Sequence, residues 1–426
     1  MKRKHFLNSL LISATGLSCG MPQLQASALN KAEGATPAEV QNELKSTDGQ
    51  AVDIPRGQVK ITEVKAYRFR KACFIKVETD AGINGWGESD GATKMMTPQY
   101  VQQYLKDYYL DKDPFDSEGL WHEVYLRELE MGMSGLHPGT LAGIDNAIWD
   151  LKGKLLGLPV HKLLGGNGKQ QIRVYGSYGR DAGRAGMRSA EEMARIAANF
   201  VEQGYQAVKA RLQIRQHRVN PFPDDTYEVV GAVRQAIGDD IPLMVDFNNG
   251  YTPAEATMMG RRLHEAFNIA ALEEPVFQQD IAGLRQVSDS LDLPIMAGEH
   301  EYNKYQILRL LNEARVDIIN ADPIKCGGIT ECKKAATLAH AFGKQIMVHN
   351  AKPTLATAAS LQLLASIPNG ANFQEYAGRR LDQGYDELVP LFDNYFDFKD
   401  GHLHLPTEPG LGLVVNEAEM EARALP

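Results

Sequence analysis

The sequence predicts an α/β protein, in which a TIM barrel of the (β/α)7β type carries an α+β capping domain. Three observations predict this class. The chain has 426 residues, of which 43% are hydrophobic and 23% charged, as in a folded protein with a sizeable core. From residue 171 onward, eight short apolar runs alternate with helical patterns. Six of these runs end in an ionisable side chain, and these ends follow one another at intervals of 23 to 27 residues, the length of one strand, one helix and two short loops.

The N-terminus reads as a targeting segment. The basic start MKRK is followed by an apolar run and a small-residue site, which is typical of a secretory signal peptide over residues 1–28. We therefore expect an exported, periplasmic protein with a signal that resembles the twin-arginine type. A disordered tail and a lipid anchor at Cys19 are the alternatives. Residues 29–56 are polar and small, which predicts a linker, and no later segment is long and apolar enough to span a membrane.

Two further regions frame the predicted barrel, which we expect over residues 171–395. Residues 57–170 combine strand-like runs with a long helical stretch, which predicts the α+β capping domain. Residues 396–426 begin with a hairpin pattern around Asp400-Gly401. We expect this C-terminal segment to pack back on the capping domain.

Charge and cysteine content exclude several classes of function. The chain carries 54 acidic and 45 basic residues, and its net charge of −9 argues against a general nucleic-acid binder. A local basic pocket for an acidic small molecule remains compatible with it. Beyond the signal peptide the chain keeps Cys73, Cys326 and Cys332, and this odd number argues against a disulfide framework. The expected partner is therefore a small molecule.

Three carboxylates stand at equivalent ends of consecutive predicted strands: Asp246, Glu273 and Glu299. Because the carboxyl ends of barrel strands meet at one mouth, these groups converge and repel one another unless a cation or protons intervene. Hard oxygen ligands without cysteine or histidine favour Mg²⁺. An acid that merely caps the following helix is the alternative for each residue alone, but three in register predict a magnesium site.

The next two strand ends, Asp322 and His349, predict a catalytic pair. A neighbouring carboxylate fixes the imidazole tautomer and raises its basicity, so His349 is the candidate general base or acid. On the second strand, Lys209 and Arg211 are two residues apart and therefore face the same side. We expect both to approach the substrate, with a solvated positive strand end as the alternative.

Two more residues are candidates with open alternatives. Glu375 ends the eighth strand, where it is placed to share a hydrogen bond with a developing enolate oxygen. An ion pair with Arg379 or Arg380 would instead give it a structural role. Lys325 follows Asp322 by three residues and is either a substrate ligand or structural.

At this point the chain resembles the enolase superfamily, and within it the mandelate racemase subgroup. The resemblance covers nearly all of residues 57–426. Its motifs are AGIDNAIWDLKGKLLGLPVHKLLGG at 142–166 and then, in order, VDFNN, LEEP, AGEH, DPIKCGGIT and VHN. It implies Asp246, Glu273 and Glu299 as ligands of Mg²⁺, Asp322–His349 as the catalytic dyad, and Glu375 as the acid that stabilises an enediolate. It also implies a homo-oligomer.

The departures from this family pattern bear on the reaction. The racemases have a second lysine on strand two where this chain has Arg211, and arginine is a poor base because it is effectively never deprotonated. The runs GEHEYNKYQILRLL, CGGITECKKAA and HLHLPTEPGLGL resemble acid-sugar dehydratases of the rhamnonate dehydratase type. That resemblance implies that His300 lies in the active site and that Asn248 touches the metal site or the substrate.

These observations predict a Mg²⁺-dependent lyase that dehydrates a sugar acid. His349 would remove the proton α to the carboxylate, and the resulting enediolate would lose the β-hydroxyl to give a 2-keto-3-deoxy acid. Two alternatives stay open. One is a racemase or epimerase of a 2-hydroxy acid on the same site, and the other is a non-catalytic sugar-acid binding protein.

Overall fold

The computed structural model describes residues 59–180, 186–212, 219–350, 352–376, 378 and 385–426. The predicted signal peptide (1–28) and linker (29–56) lie outside these residues. None of the helices in the described ranges has both the length and the apolar character that crossing a membrane requires.

The capping domain begins with a three-stranded antiparallel sheet, in the order β1-β2-β3. These strands are Ile61–Arg68 (β1), Cys73–Thr79 (β2) and Gly85–Ser89 (β3). Its helices are Thr97–Tyr100 (α1), Lys106–Tyr109 (α2), Ser117–Arg127 (α3), Leu136–Leu156 (α4) and Val160–Leu163 (α5), with a π-helical turn at Val101–Leu105 and 3₁₀ turns at Pro114–Asp116 and Leu129–Met131.

Helix α4 lies directly on strand β3 because the strand offers glycines at the contact. A Cβ atom on Gly85 would lie 2.1 Å from the Ala147 carbonyl oxygen, and one on Gly87 would lie 2.2 Å from that of Gly143. The helix ends at Gly157, whose left-handed φ of 66° no residue with a side chain adopts as readily. This close packing fixes the strand end that faces the barrel.

The barrel has eight parallel strands in one ring. They are Gln171–Gly179 (β4), Val208–Arg211 (β5), Leu243–Asp246 (β6), Ala271–Glu273 (β7), Ile295–Ala297 (β8), Ile318–Ile319 (β9), Gln345–Ile346 (β10) and Gln374–Glu375 (β11). Each strand from β4 to β10 pairs with the next in parallel. Strand β11 pairs with β4, and a parallel bridge from Ile346 to Gly370 joins β10 to the segment that leads into β11. The predicted fold class is confirmed.

Helices connect all successive barrel strands and cover the outside. They are Ala190–Glu202 (α6), Thr226–Ile237 (α7), Pro253–Phe267 (α8), Ile281–Ser290 (α9), Lys304–Arg309 (α10), Gly328–Ala341 (α11) and Leu355–Leu364 (α12), with a π-helical turn at Leu310–Ala314. The main hydrophobic core lies between strands and helices, and a smaller cluster that includes Tyr175, Met244 and Met296 belongs to the barrel strands. Burial of these apolar faces is what stabilises the short strands.

The C-terminal segment divides its contacts between the two domains. After a 3₁₀ turn at Asp386–Leu391, the predicted hairpin is present as Phe398–Lys399 (β12) and His402–His404 (β13), and β13 pairs antiparallel with β4. The last helix is Glu417–Arg423 (α13). Beyond it, the amide of Leu425 donates to the carbonyl of Arg68 in the capping sheet over 2.7 Å. The hairpin therefore extends the barrel sheet, while the final residues join the capping domain.

Candidate active site

The strand-end residues meet at the carboxyl end of the barrel. Strand register places Arg211 opposite Asp246, and Asp246 opposite Glu273, as expected for residues at one height on adjacent parallel strands. Asp246 and Glu273 are completely buried. Lys209 has ionic contacts with both Glu273 and Glu375, and Asn248 is hydrogen-bonded to Asp246. A second group of ionic contacts joins Glu299 to His300, Lys325 and His349, and His349 to Asp322.

The backbone turns sharply where β6 and β7 end. Asn248 and Asn249 have left-handed φ values of 45° and 63°, and Glu274 has one of 42°. Asparagine tolerates this region comparatively well, whereas for glutamate it is uncommon. These turns follow Asp246 and Glu273 within three residues, and the Asn248 amide donates to Asp246 Oδ1 over 2.7 Å.

Each of the three predicted metal ligands contacts a polar neighbour. Glu273 accepts from Lys209 Nζ and from Asn320 Nδ2, both over 2.5 Å. Asp246 Oδ2 accepts from Asn248 Nδ2 over 2.9 Å. Glu299 is 3.4 Å from His349 Nε2. Each carboxylate thus has a polar partner of its own, and the charge of Glu299 acts on both Asp246 and Glu273.

The pKa values of Asp246 and Glu273 are raised, whereas that of Glu299 is lowered. Burial raises the pKa of Asp246 to about 6 and that of Glu273 to about 8, and the nearby Glu299 adds to both shifts. Burial also disfavours the charge of Glu299, but His349 and then Lys325 outweigh it and lower its pKa well below the usual range. The site therefore holds more buried acid than its own cations neutralise.

The residues at the strand ends fit a magnesium ion. Two buried oxygens beside the carboxylates, Asn248 Oδ1 and Asn320 Oδ1, accept no hydrogen bond from the described residues. A buried oxygen without a donor is costly, and a hard cation or its water shell would satisfy it. A bound cation would also lower the raised pKa values of Asp246 and Glu273, because it favours the charged form of each carboxylate.

A second acidic group adjoins the predicted ligands. Within the described ranges, the carboxylate and imidazole atoms that all lie within 4.8 Å of one another belong to Glu274, Glu299 and His300. Asp246 and Glu273 do not join this group. Burial raises the pKa of Glu274 well above its usual range, and the neighbouring Glu299 raises it further. The sequence did not identify Glu274 as a site residue, because it directly follows Glu273 and belongs to the same motif.

Asp322 and His349 form a hydrogen-bonded pair. His349 Nδ1 lies 2.7 Å from Asp322 Oδ2, and the other Asp322 oxygen accepts from the Ile324 amide over 2.9 Å. With its Nδ1 proton donated to Asp322, the imidazole presents Nε2 toward Glu299. Burial disfavours the imidazolium, but Glu299 and Asp322 outweigh burial, so the pKa of His349 is raised on balance. This arrangement suits a general base.

Helix α4 of the capping domain is hydrogen-bonded to the segment that follows Asp322. Asn146 Nδ2 in helix α4 donates to the Pro323 carbonyl over 2.9 Å, and the Asn146 oxygen accepts from the Ile329 amide over 3.1 Å. Asp145 accepts from both the amide and the hydroxyl of Thr330. The helix whose sequence forms the longest motif of the chain thus holds the loop that carries Asp322.

Lys209 and Arg211 both face the carboxylates, as alternation along a strand predicts. Lys209 Nζ is 3.7 Å from Glu375 in addition to its bond with Glu273, and Arg211 Nε is 3.8 Å from Asp246. Burial alone would raise the pKa of Glu375, but Lys209 and His349 lower it to about 2. The predicted alternative partners Arg379 and Arg380 lie outside the described residues.

His300 and Lys325 flank Glu299. His300 Nε2 is 3.2 Å from Glu299 Oε1, and Lys325 Nζ is 3.8 Å from the same oxygen. Both also line a cavity of about 340 Å³ that contains His349. The role of His300 and Lys325 in substrate binding stays a prediction.

Sequence reasoning missed several residues of this region. Asn320 precedes Asp322 by two positions, so the same alternation that places Asp322 at the mouth also identifies Asn320. Glu88 and Lys352 form a buried ion pair of 3.0 Å between the capping domain and the loop after His349. No local sequence pattern predicts this ion pair, because the two residues are 264 positions apart.

Comparison with known families gives two matches that together span most of the chain. Residues 56–165 match the model of the mandelate racemase / muconate lactonizing enzyme N-terminal domain, and residues 192–419 match that of the enolase C-terminal domain-like family.

Individual relatives agree with these matches. A D-galactarolactone cycloisomerase of Agrobacterium fabrum is 31% identical over 84% of this chain and 92% of its own length. A D-galactonate dehydratase of Pectobacterium atrosepticum is 31% identical over 84% of this chain and 93% of its own. The crystal structure of a mandelate racemase/muconate lactonizing protein from Paracoccus denitrificans, complexed with magnesium, superposes with a TM-score of 0.79 at 30% identity, over 86% of this chain and 99% of that one.

Proposed function

Because this chain belongs to the mandelate racemase / muconate lactonizing enzyme family of the enolase superfamily, we propose that it is a Mg²⁺-dependent lyase that dehydrates a sugar acid. The product would be a 2-keto-3-deoxy acid, formed through an enediolate. The names of the relatives, among which D-galactonate dehydratase recurs, support this substrate class.

The observation that carries the proposal is the Asp322–His349 pair. A protein that only binds a sugar acid needs no imidazole whose Nδ1 is bonded to a buried carboxylate and whose Nε2 faces a cluster of acids. That geometry leaves Nε2 as the basic atom, as proton abstraction requires. It therefore favours catalysis over the alternative of a non-catalytic binding protein.

Asp246, Glu273 and Glu299 are the residues that would hold Mg²⁺. When bound, the ion would withdraw electron density from the substrate carboxylate and so acidify the proton on the α-carbon. Lys209 and Arg211, which lie beside these acids, would orient the same carboxylate. Fixed positive groups at the place where negative charge develops contribute a large share of such a rate enhancement.

His349 Nε2 would take the α-proton, and the imidazolium would be stabilised by Asp322. Glu375 is positioned between Lys209 and the Asn350 amide, from which it accepts over 3.0 Å. The β-carbon–oxygen bond then breaks, and the departing hydroxide takes the proton that His349 carries. The enol of the product tautomerises to the 2-keto-3-deoxy acid.

Arg211 makes a two-base racemase the weaker candidate. Burial opposes its charge, but Asp246 and Glu299 raise its pKa above the usual arginine value. A guanidinium in that state cannot remove a proton from the opposite face of the α-carbon. One-base dehydration requires no such second base.

The test is a screen of aldonic acids, aldaric acids and their lactones with the protein and Mg²⁺ in D₂O, followed by NMR. We expect one or more aldonates to give a 2-keto-3-deoxy acid, and no turnover once Mg²⁺ is chelated. Deuterium at the α-carbon without loss of water would replace the dehydratase by a racemase or epimerase. Tight binding without exchange or turnover would favour the binding protein.

A further inference from the structure

The cavity that contains His349 has a second wall, to which the capping domain contributes. Its volume is about 340 Å³, and its barrel side includes His349 and Lys325. Asp90 and Gly91, which directly follow strand β3, also line the cavity, and together with Lys352 from the barrel loop after His349 they form what we call the cap-side wall. A substrate that reacts at His349 therefore occupies a cavity that it shares with the cap-side wall.

Asp90 offers the cavity a buried acceptor. Only 4% of the residue is exposed, and its Oδ1 accepts from the Ala92 amide over 2.9 Å. Within the described residues, the Asp90 carboxylate accepts its hydrogen bond from this amide. A buried carboxylate has several acceptor positions, so Asp90 has capacity left for a hydroxyl group of a bound molecule.

Lys352 offers a donor beside it. Its ammonium donates to Glu88 Oε1 over 3.0 Å, and the charge of that buried acid compensates its own. The same ammonium lies against Gly91, where a Cβ atom would be only 2.8 Å from Nζ. An ammonium has three N–H groups, and Glu88 takes one of them. The cap-side wall thus presents both a buried acceptor, Asp90, and a buried donor, Lys352.

Another charged residue of the cavity, Lys71, has less influence on what binds. It is exposed to solvent, and its ammonium lies 5.8 Å from the centre of the Tyr385 ring. Solvent and salt screen an exposed charge strongly, whereas they screen the buried Asp90 much less.

We propose that Asp90 and Lys352 form a subsite for the hydroxylated end of the substrate, and that this subsite selects aldonates over aldarates of the same carbon skeleton. A hydroxyl both donates and accepts, so it satisfies Asp90 and Lys352 together. A terminal carboxylate only accepts and would place a second negative charge beside the buried Asp90. This inference rests on the proposed function, because it assigns the reacting end to His349.

The test compares an aldonate with the aldarate that differs from it only at the terminal carbon, such as galactonate and galactarate. Calorimetric affinity in the presence of Mg²⁺ is measured first, and kcat/KM is measured for whichever acid turns over. We expect the wild-type protein to prefer the aldonate, and Asp90→Asn to reduce this preference at least about tenfold by admitting the aldarate. Lys352→Met should weaken binding of the aldonate.

Asp80→Asn is the matched control, because Asp80 is an exposed acid of the same domain that accepts from the Lys60 amide. It should leave the preference unchanged. A wild-type protein that prefers the aldarate, a preference that Asp90→Asn leaves intact, or no binding of either acid would overturn the subsite. If the aldonate binds with the expected preference but is not dehydrated, the proposed function fails and the subsite stands.

Discussion

Glu88 and Asp150, in the capping domain, are as deeply buried as Asp246 and Glu273 at the strand ends, but their partners differ. Both oxygens of Glu88 are bonded: one accepts from Lys352, and the other from the Thr354 hydroxyl and the Ala356 amide. Asp150 accepts from the Trp86 and Leu411 amides, both over 2.8 Å, and forms an ion pair with Lys154, whose Nζ lies 2.6 Å from Oδ2.

The strand-end acids lie instead among other acids, beside asparagine oxygens that have no hydrogen-bond donor in the described part of the chain. This contrast separates two uses of a buried carboxylate. A buried acid with complete partners stabilises a contact, whereas a group of incompletely neutralised acids costs stability and is available to bind a cation. Variants that test this contrast should change stability in the first set, and ligand binding or catalysis in the second.

The largest effect is expected from His349→Asn, next to the strand-end acids. It should slow exchange of the α-proton about 10³-fold or more, because it removes the basic nitrogen while Asp322 keeps its bond to the Ile324 amide. Deuterium uptake by NMR measures the rate, and magnesium affinity should persist. His340→Asn, at an exposed position of helix α11, is the control. Exchange at the wild-type rate would contradict the assignment of the base.

Glu88→Gln should have the largest effect on stability. The change leaves the Lys352 ammonium buried with a neutral partner, which is expected to lower the free energy of unfolding by about 3 kcal/mol. Denaturant titration measures it. The double variant Glu88→Gln, Lys352→Met should recover part of the loss, since it removes the unpaired charge. Equal stability of wild type and Glu88→Gln would show that the pair stabilises nothing.

Glu273→Gln should weaken Mg²⁺ binding at least about 10–100-fold, as even the loss of an outer partner of a metal ligand does. Its loss of stability should be smaller than that of Glu88→Gln, because Lys209 still has Glu375 at 3.7 Å. Calorimetric titration of Mg²⁺ measures the affinity, with Glu265→Gln on the exposed side of helix α8 as the control. An unchanged affinity would remove Glu273 from the ligand set.

Asp145 is expected to affect the pH dependence of stability. Burial raises its pKa from 3.8 to about 6, although Thr330 donates to it twice. Between these pH values the folded protein keeps a proton that the unfolded chain has released, so stability falls as pH rises, by at most about 1.4 kcal/mol per pH unit. Asp145→Asn should remove this contribution. Parallel stability curves of the two proteins from pH 4 to 6 would contradict it.

The sequence predicted the barrel because its period is regular. Strand ends from Asp246 to Glu375 recur at the length of one βα unit, and parallel pairing converts that recurrence into a common height. Alternation along β5 likewise placed Lys209 and Arg211 on one side. These are short-range rules, and they identified residues whose positions depend on one strand and its neighbours.

The cap-side wall was not predictable in the same way. Asp90, Gly91 and Lys352 meet because helix α4 holds strand β3 against the barrel, and this packing depends on the glycines of β3. Contacts between residues more than 250 positions apart leave no periodic signal in the chain. Asn320 is different, since alternation already predicts that it lies on the same face of its strand as Asp322.

The Glu88 carboxylate has a consequence for how such proteins can be recombined. Helix α12 of the barrel has Thr354 at its N-terminus, but the Thr354 hydroxyl donates to Glu88, and Glu88 also accepts from the helix amide of Ala356. The beginning of a barrel helix is thus completed by the other domain. In one kind of chimaera, the capping domain comes from a relative that lacks this acid. The first turn of helix α12, which follows His349 in the chain, would then fray, whichever specificity loops were chosen.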